Sequence, residues 1–406
     1  MDMGKTARRI IRAAAVIAAA WCAWPDKEPA WLTGLVPSLS PFNALLAVAA
    51  GAGGLFLLGA LAVACVCAVR PRFFCRWLCP VGAPLDAVAF VRQRLIRGPA
   101  LHAVPRVGPA LVLLGVGAAL AGYPLFGWLD PLAIFSAAFG TARNHPEAHN
   151  WIARAGLPFL ILFAVAVPGL WCGRVCPLGA MQDLLRLPLQ IVARLRGGQR
   201  TDRPTAAPPA APRHGRRVFL GLGLGAAYRL ALPPGRASAA QPSVIRPPAS
   251  DGGARFTSLC TRCGACSRVC PSGIIRLGGG GSGWAGVLAP EMSFDSGYCA
   301  PSCTRCGEVC PSGAIPRFTQ KRKHVPPMGT ARWDADTCFL GMGRECGACV
   351  GACPHAALDM AWDPHNMTSR VVVDPVRCTG CGCCEYVCPV SPKAIRVANQ
   401  NQGGKP

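Results

Sequence analysis

Charge is what this sequence has little of. Only 15% of its 406 residues are Asp, Glu, Lys or Arg, against about 25% in an ordinary soluble domain. Together with 51% apolar residues, that shortage argues against a wholly soluble chain and for a membrane part joined to a soluble part. Acidic residues are the scarcer sign, 19 against 42 Lys and Arg, which leaves a net charge of +23. A basic chain is open to nucleic acid as a partner, but no recognisable nucleic-acid module accompanies the charge, so that class is set aside. A second absence concerns residues 251–406, which have few long apolar runs and a glycine-rich stretch at 278–283. An ordinary apolar core is hard to build there, so its stability needs a contribution beyond apolar burial.

Three stretches lack charge altogether: 44–69 (26 residues), 107–129 (23 residues) and 155–173 (19 residues). Each is long enough, as one helix, to cross a hydrocarbon layer of about 30 Å. A shorter apolar stretch, 13–25, follows Lys5, Arg8, Arg9 and Arg12 and is flanked by Trp21, Trp24 and Trp31, which suit an interface. Seven Arg lie in 70–106 and nine in 172–217, whereas the intervening loops hold only Lys27, Arg143 and Arg154. The positive-inside rule then predicts four spans over residues 1–196, in a multi-pass protein of the bacterial inner membrane.

One phrase is written twice. "CRWLCPVGAPLD" at 75–86 and "CGRVCPLGAMQD" at 172–183 share C-x3-C-P-[V/L]-G-A-x2-D at a constant offset of 97. Cysteines at i and i+4 share a face if a helix continues through them, and Pro80 and Pro177 would end or bend that helix. Cys75, Cys79, Cys172 and Cys176 are therefore expected to converge. Their roles stay open between a cluster, a reversible disulfide and inert packing.

Residues 197–250 read as a linker rich in Pro, Ala and Arg. Within it, 216–240 begins with Arg216-Arg217 and a short apolar stretch, and contains Ala237-Ser238-Ala239. It resembles a twin-arginine export signal, or forms a weak fifth span if it is not cleaved.

From 251 to 406 the cysteines take over. Four runs follow one another: Cys260, Cys263, Cys266, Cys270; Cys299, Cys303, Cys306, Cys310; Cys338, Cys346, Cys349, Cys353; and Cys378, Cys381, Cys384, Cys388. Each ends in C-x3-C-P, and the first and fourth match the bacterial C-x2-C-x2-C-x3-C-P ferredoxin run in full. Three cysteines of a tight loop reach three irons of one cubane, while the fourth ligates the neighbouring cluster, so motifs must work in pairs. A zinc ribbon needs neither the third cysteine nor the trailing C-x3-C-P. Sixteen thiolates thus predict four [4Fe–4S] clusters in a small α+β polyferredoxin domain. Gly264, Gly307, Gly347 and Gly382 follow ligand cysteines, where glycine permits a tight wrap. Cys22, Cys65, Cys67 and Cys383 read as small apolar residues.

The C-x3-C-P pair resembles NapH and MauN, the membrane quinol-dehydrogenase components. The twin-arginine-like segment and the four cysteine runs resemble NapG and MauM, their periplasmic ferredoxin partners. The resemblance implies a fusion of the two. It implies electron flow from membrane quinol, through four clusters, to a c-type cytochrome or reductase, with the cluster domain in the periplasm. It also implies that motifs one and four exchange ligands, as do two and three. Quinol oxidation releases protons, for which Asp130, His145 and His149 are candidate acceptors; a capped loop accounts for the same residues. Two other functions fit the sequence: a maturation factor for a metalloenzyme, and a membrane-tethered ferredoxin on the cytoplasmic side.

Overall fold

The computed structural model describes residues 3–24, 32, 34–49, 51, 53–54, 56–95, 105–120, 125–140, 151–196, 244–250, 253–279, 283–323, 325–364 and 368–399. His145, His149 and the twin-arginine-like segment lie outside them.

The first half is helical. α1 (Met3–Ala23) is followed by α2 (Leu35–Ser38), α3 (Pro41–Ala49) and α4 (Phe56–Val69), then by α5 (Phe73–Trp77), α6 (Gly82–Leu95) and α7 (Gly108–Leu120). α8 (Pro131–Gly140), α9 (Trp151–Ala166), a π-helical turn (Trp171–Val175) and α10 (Pro177–Arg196) complete it. The duplicated phrase appears as a duplicated shape, with α4, α5 and α6 matched by α9, the π turn and α10.

The expected four-span membrane domain, and with it the multi-pass inner-membrane location, is overturned. Among the described residues no helix is long and apolar enough to cross a membrane. The uncharged runs are real, but the helices in them are short. Run 44–69 is cut at Gly51 and Gly54, whose φ of 85° and 129° end one helix before the next begins. Run 107–129 ends its helix at Leu120, and run 155–173 turns at Gly169 with φ of 75°. The 14 residues of α4 and 16 of α9 rise about 21 and 24 Å, short of about 30 Å. α1 is longer, but Arg8, Arg9 and Arg12 are part of it, and Arg12 donates to the Gly82 carbonyl (2.9 Å) and to Asp86 (2.7 Å).

The second half is built of short pieces around cysteines. α11 (Gly253–Leu259) and α12 (Ala265–Val269) lead into a hairpin of β1 (Ile275–Leu277) and β2 (Pro290–Met292). α13 (Arg305–Glu308) precedes β3 (Thr330–Trp333), which pairs with the final strand, β6 (Ile395–Ala398), in the register Thr330 to Ala398. Between them lie α14 (Ala348–Gly351), the hairpin of β4 (Leu358–Asp363) and β5 (Thr368–Val373), and α15 (Cys383–Val387). The unit starts before residue 251: Ile245 is buried in its core, and its carbonyl accepts from Met292 N at 2.8 Å.

The halves pack together through the first cysteine motif. Arg268 is fully buried and donates to the Ser136 carbonyl of α8 at 3.2 Å. Arg262, also fully buried, lies against Gly127. Ala137 and Ala153 share an apolar cluster with Leu277 and Leu288, and Trp128 stacks on Trp284 at 6.1 Å.

Candidate functional site

The sixteen cysteines gather as four sets of four. Burial, and then the charge of Cys263, Cys260 and Cys310 beside it, pushes the Cys266 thiol well up. Cys260, pushed up to about 12, has Cys263 and Cys310 as neighbours. The first three cysteines of motif one thus meet the fourth of motif two. The exchange is reciprocal: Cys299, Cys303 and Cys306 gather with Cys270. Cys338, Cys346, Cys349 and Cys388 line one cavity, and Cys378, Cys381, Cys384 and Cys353 line another. Motifs pair one with two and three with four. The nested exchange expected from resemblance is corrected, because the loops that pack together are neighbours along the chain.

The local sequence explains the loops. Gly264 and Gly382 stand in the left-handed region (φ 70° and 82°) at the starts of α12 and α15, where a Cβ is disfavoured. Gly382 also faces Phe294 too closely for any side chain. Backbone amides point at sulfur: Ile315 N to Cys310 (3.3 Å), Ala357 N to Cys353 (3.3 Å), Ala331 N to Cys378 (3.4 Å) and Arg262 N to Cys260 (3.4 Å).

Such sets fit an anionic inorganic cubane. Among the described residues, no three His, Cys, Asp or Glu side chains meet closely enough to grip a single ion. A cubane offers four separate iron corners, so its thiolates need not meet at a point. Buried cations stand beside the sets. Arg268 feels Cys263 and Cys266, Arg262 feels Cys260, and fully buried Lys323 feels Cys299 and Cys306. Charges buried this deeply require a counter-charge, which cluster thiolates provide.

The sets are ordered in space. Cys266 and Cys306 are neighbours, and Cys299 N donates to the Cys381 carbonyl at 2.9 Å. Cys384 in turn neighbours Cys349. The order is Cys260, then Cys299, then Cys378, then Cys338, naming each set by its first cysteine.

In the helical half, Cys75, Cys79, Cys172 and Cys176 do converge on one cavity, rimmed by Arg8, Arg72 and Arg76. The helix does not run through the pairs, as a shared helical face would need. α5 ends at Trp77, before Cys79, and α10 begins at Pro177, directly after Cys176. Burial first, then the charges of Cys79 and Asp86, holds Cys172 up to about 12; burial pushes Cys79 to about 11. Gly82 N donates to Cys79 Sγ at 3.3 Å.

Of the three candidate proton acceptors, Asp130 is the one among the described residues. It is fully buried between this quartet and the Cys260 set, accepting hydrogen bonds from Ser40 Oγ and from Leu132 N (2.8 Å). Burial pushes its carboxyl up to about 6, against the pull of those hydrogen bonds and of Arg262.

Several site residues escape sequence reasoning. Gln182, fully buried, accepts from Cys67 Sγ (3.3 Å) and donates to Cys75 Sγ (3.1 Å). Its counterpart in the first repeat is Leu85, so the repeat itself hid it. Nothing in the sequence singles out Arg262, Arg268 and Lys323 among the other cations of a basic chain. Cys383 is buried as expected, and its Sγ donates to the Ala352 carbonyl at 3.1 Å.

Comparison with known proteins finds family matches and relatives but no matching solved structure. Residues 259–339 and 344–391 match the family described as a 4Fe-4S dicluster domain. Residues 52–99 and 150–197, which carry the two C-x3-C-P phrases, match one described as a 4Fe-4S binding domain. The methylamine utilization ferredoxin-type protein MauM of Methylobacillus flagellatus is 33% identical over 174 residues, 40% of this chain and 70% of that protein. The ferredoxin-type protein NapG of Escherichia coli is 31% identical over 212 residues, 46% of this chain and 87% of that protein.

Proposed function

The chain belongs to the MauM/NapG family of ferredoxin-type iron–sulfur proteins, and from that premise we propose that it carries electrons from a quinol, through four [4Fe–4S] clusters, to a c-type cytochrome or reductase. One observation carries the reading: four reciprocally shared cysteine sets stand in a single file that begins beside Asp130 and ends at the Cys338 set. Bound clusters supply one-electron chemistry over a wide range of potentials. The residues do the rest. Sixteen thiolates fix the file, Lys323, Arg262 and Arg268 balance its charge, and Asp130 takes a proton at its Oδ atoms as electrons pass. His145 and His149 are the other two proposed proton acceptors.

The test is anaerobic loading of the full chain, followed by iron and acid-labile sulfide assays. Roughly sixteen irons per chain are expected from these sets. Addition of a water-soluble quinol should then reduce the clusters, and oxidised cytochrome c should reoxidise them. Quinol that leaves the clusters oxidised, while dithionite reduces them, would remove quinol as donor and leave the relay standing.

A second site reading has its own support. Cys75, Cys79, Cys172 and Cys176 converge, and both of their stretches match a 4Fe-4S binding domain. They are proposed to hold a further cluster feeding the Cys260 set. Iron per chain should then approach twenty and drop by about four in Cys79→Ala/Cys176→Ala. An undiminished iron content in that variant would dispose of the idea.

A further inference from the structure

The two lobes of the cluster unit differ in charge. Residues 244–329 hold ten Lys or Arg and four Asp or Glu, whereas residues 330–399 hold six and seven. In a chain of net charge +23, the second lobe is the acidic pole. Bound clusters deepen this, since four thiolates and four sulfides outweigh the charge of four irons.

The same lobe carries the most open cysteine set. In motif one, residues 261–268 are buried throughout; in motif three, 341–345, 347 and 348 are exposed, and Cys346 and Cys349 are partly so. An apolar band begins beside this loop. Leu358, Met360 and Trp362 share one face of β4, by the alternation of a strand. Leu358 is buried in the core with Cys349 and Cys388, while Met360 and Trp362 are 54% and 59% exposed. The Met360 methyl lies 3.9 Å from where a Cβ on Gly347, between Cys346 and Cys349, would stand. Met342, in the same loop, is 57% exposed. Glu345, in the same loop, is exposed, as is Asp359 on the opposite face of β4, and Arg344, next to Glu345 in sequence, lies over the Phe339 ring at 4.2 Å.

We propose that Met342, Met360 and Trp362 form the docking surface for a basic one-electron redox protein, which takes electrons from the set Cys338, Cys346, Cys349 and Cys388. The inference rests on the relay reading and adds where the file ends and what meets it. Met and Trp are enriched at interface centres, and methionine adapts its shape to its partner. Opposite charge steers the encounter and sets its salt dependence. The set at the other end of the file cannot serve, because its loop is enclosed by the helical half.

The test uses the full chain loaded with its clusters, with mitochondrial-type cytochrome c as the basic probe and flavodoxin as the acidic one. Cytochrome c should bind in preference to flavodoxin, and more weakly as salt rises. Met360→Lys/Trp362→Lys should weaken that binding about tenfold or more. The electron-transfer rate to cytochrome c should fall to match, with iron content and reoxidation by ferricyanide undiminished. Unchanged cytochrome binding in the variant, or preference for flavodoxin, would overturn the proposal. So would a wild-type dimer that the variant dissociates, since the band would then join two copies. A loaded chain that fails to reduce ferricyanide would instead refute the relay, while its cytochrome c binding would still report on docking.

Discussion

Arg72 reaches from the first repeat to Asp183 of the second, donating from Nε at 2.8 Å and from Nη2 at 2.6 Å. The equivalent carboxylate of the first repeat, Asp86, is taken by Arg12 of α1 at 2.7 Å. The aspartate that ends each copy of the phrase is thus a clasp, and each clasp closes on a different segment. Together they hold the two cysteine pairs against one another.

Loss of the Arg72 clasp should be felt modestly. The pair is bidentate but partly exposed, at 32% and 47%, which puts its worth at about 1 kcal/mol. Asp183→Asn should lower the melting temperature by a few degrees, and the difference should shrink in high salt. An equal loss at all salt concentrations would mean that packing, not charge, is what the substitution disturbs.

Reciprocal ligation makes a pattern that single substitutions reveal. Cys270→Ala should abolish the same paramagnetic signal as Cys303→Ala, and a different one from Cys263→Ala, although Cys270 and Cys263 belong to one motif. Cys310→Ala should pair with Cys263→Ala. Spectra that group Cys270 with Cys378, Cys381 and Cys384 would restore the nested exchange.

Asp130 should make stability depend on pH. Its folded value of about 6 exceeds the ordinary 3.8, so between these limits the native state holds the proton more tightly than the unfolded chain. This group's contribution is full below about pH 4, declines as pH rises through 6, and is flat above. The span is on the order of 2–3 kcal/mol. Asp130→Asn should flatten that decline in denaturant melts recorded from pH 4 to 7. A variant that keeps the full slope would assign it to another group.

The junction between halves should be intolerant of added volume. A Cβ at Gly127 would collide with the Arg262 guanidinium, which also donates to the carbonyls of Val287 (3.1 Å) and Cys260 (3.1 Å). Gly127→Ala should cost about 1–3 kcal/mol, read by chemical denaturation. Arg262→Met should cost a similar amount through unsatisfied carbonyls. In both variants, trypsin should separate the two halves more readily than in the parent chain.

What the sequence determined by itself is local. Three cysteines within seven residues, a fourth four residues later and a proline after it dictate a cubane-wrapping loop, because ligand reach over so short a segment is set by backbone geometry alone. The offset of 97 likewise announced the tandem repeat and the meeting of Cys75, Cys79, Cys172 and Cys176. Tertiary packing decided the rest. Which loop lends its fourth cysteine to which depends on contact between separate loops, and spacing within a motif is silent on that. The uncharged runs gave no helix lengths, since Gly51, Gly54 and Gly169 turn the backbone without adding charge or polarity. Arg262, Arg268 and Lys323 gained their standing only from burial, which fixes the cost of a charge and is a property of the folded neighbourhood, not of the residue.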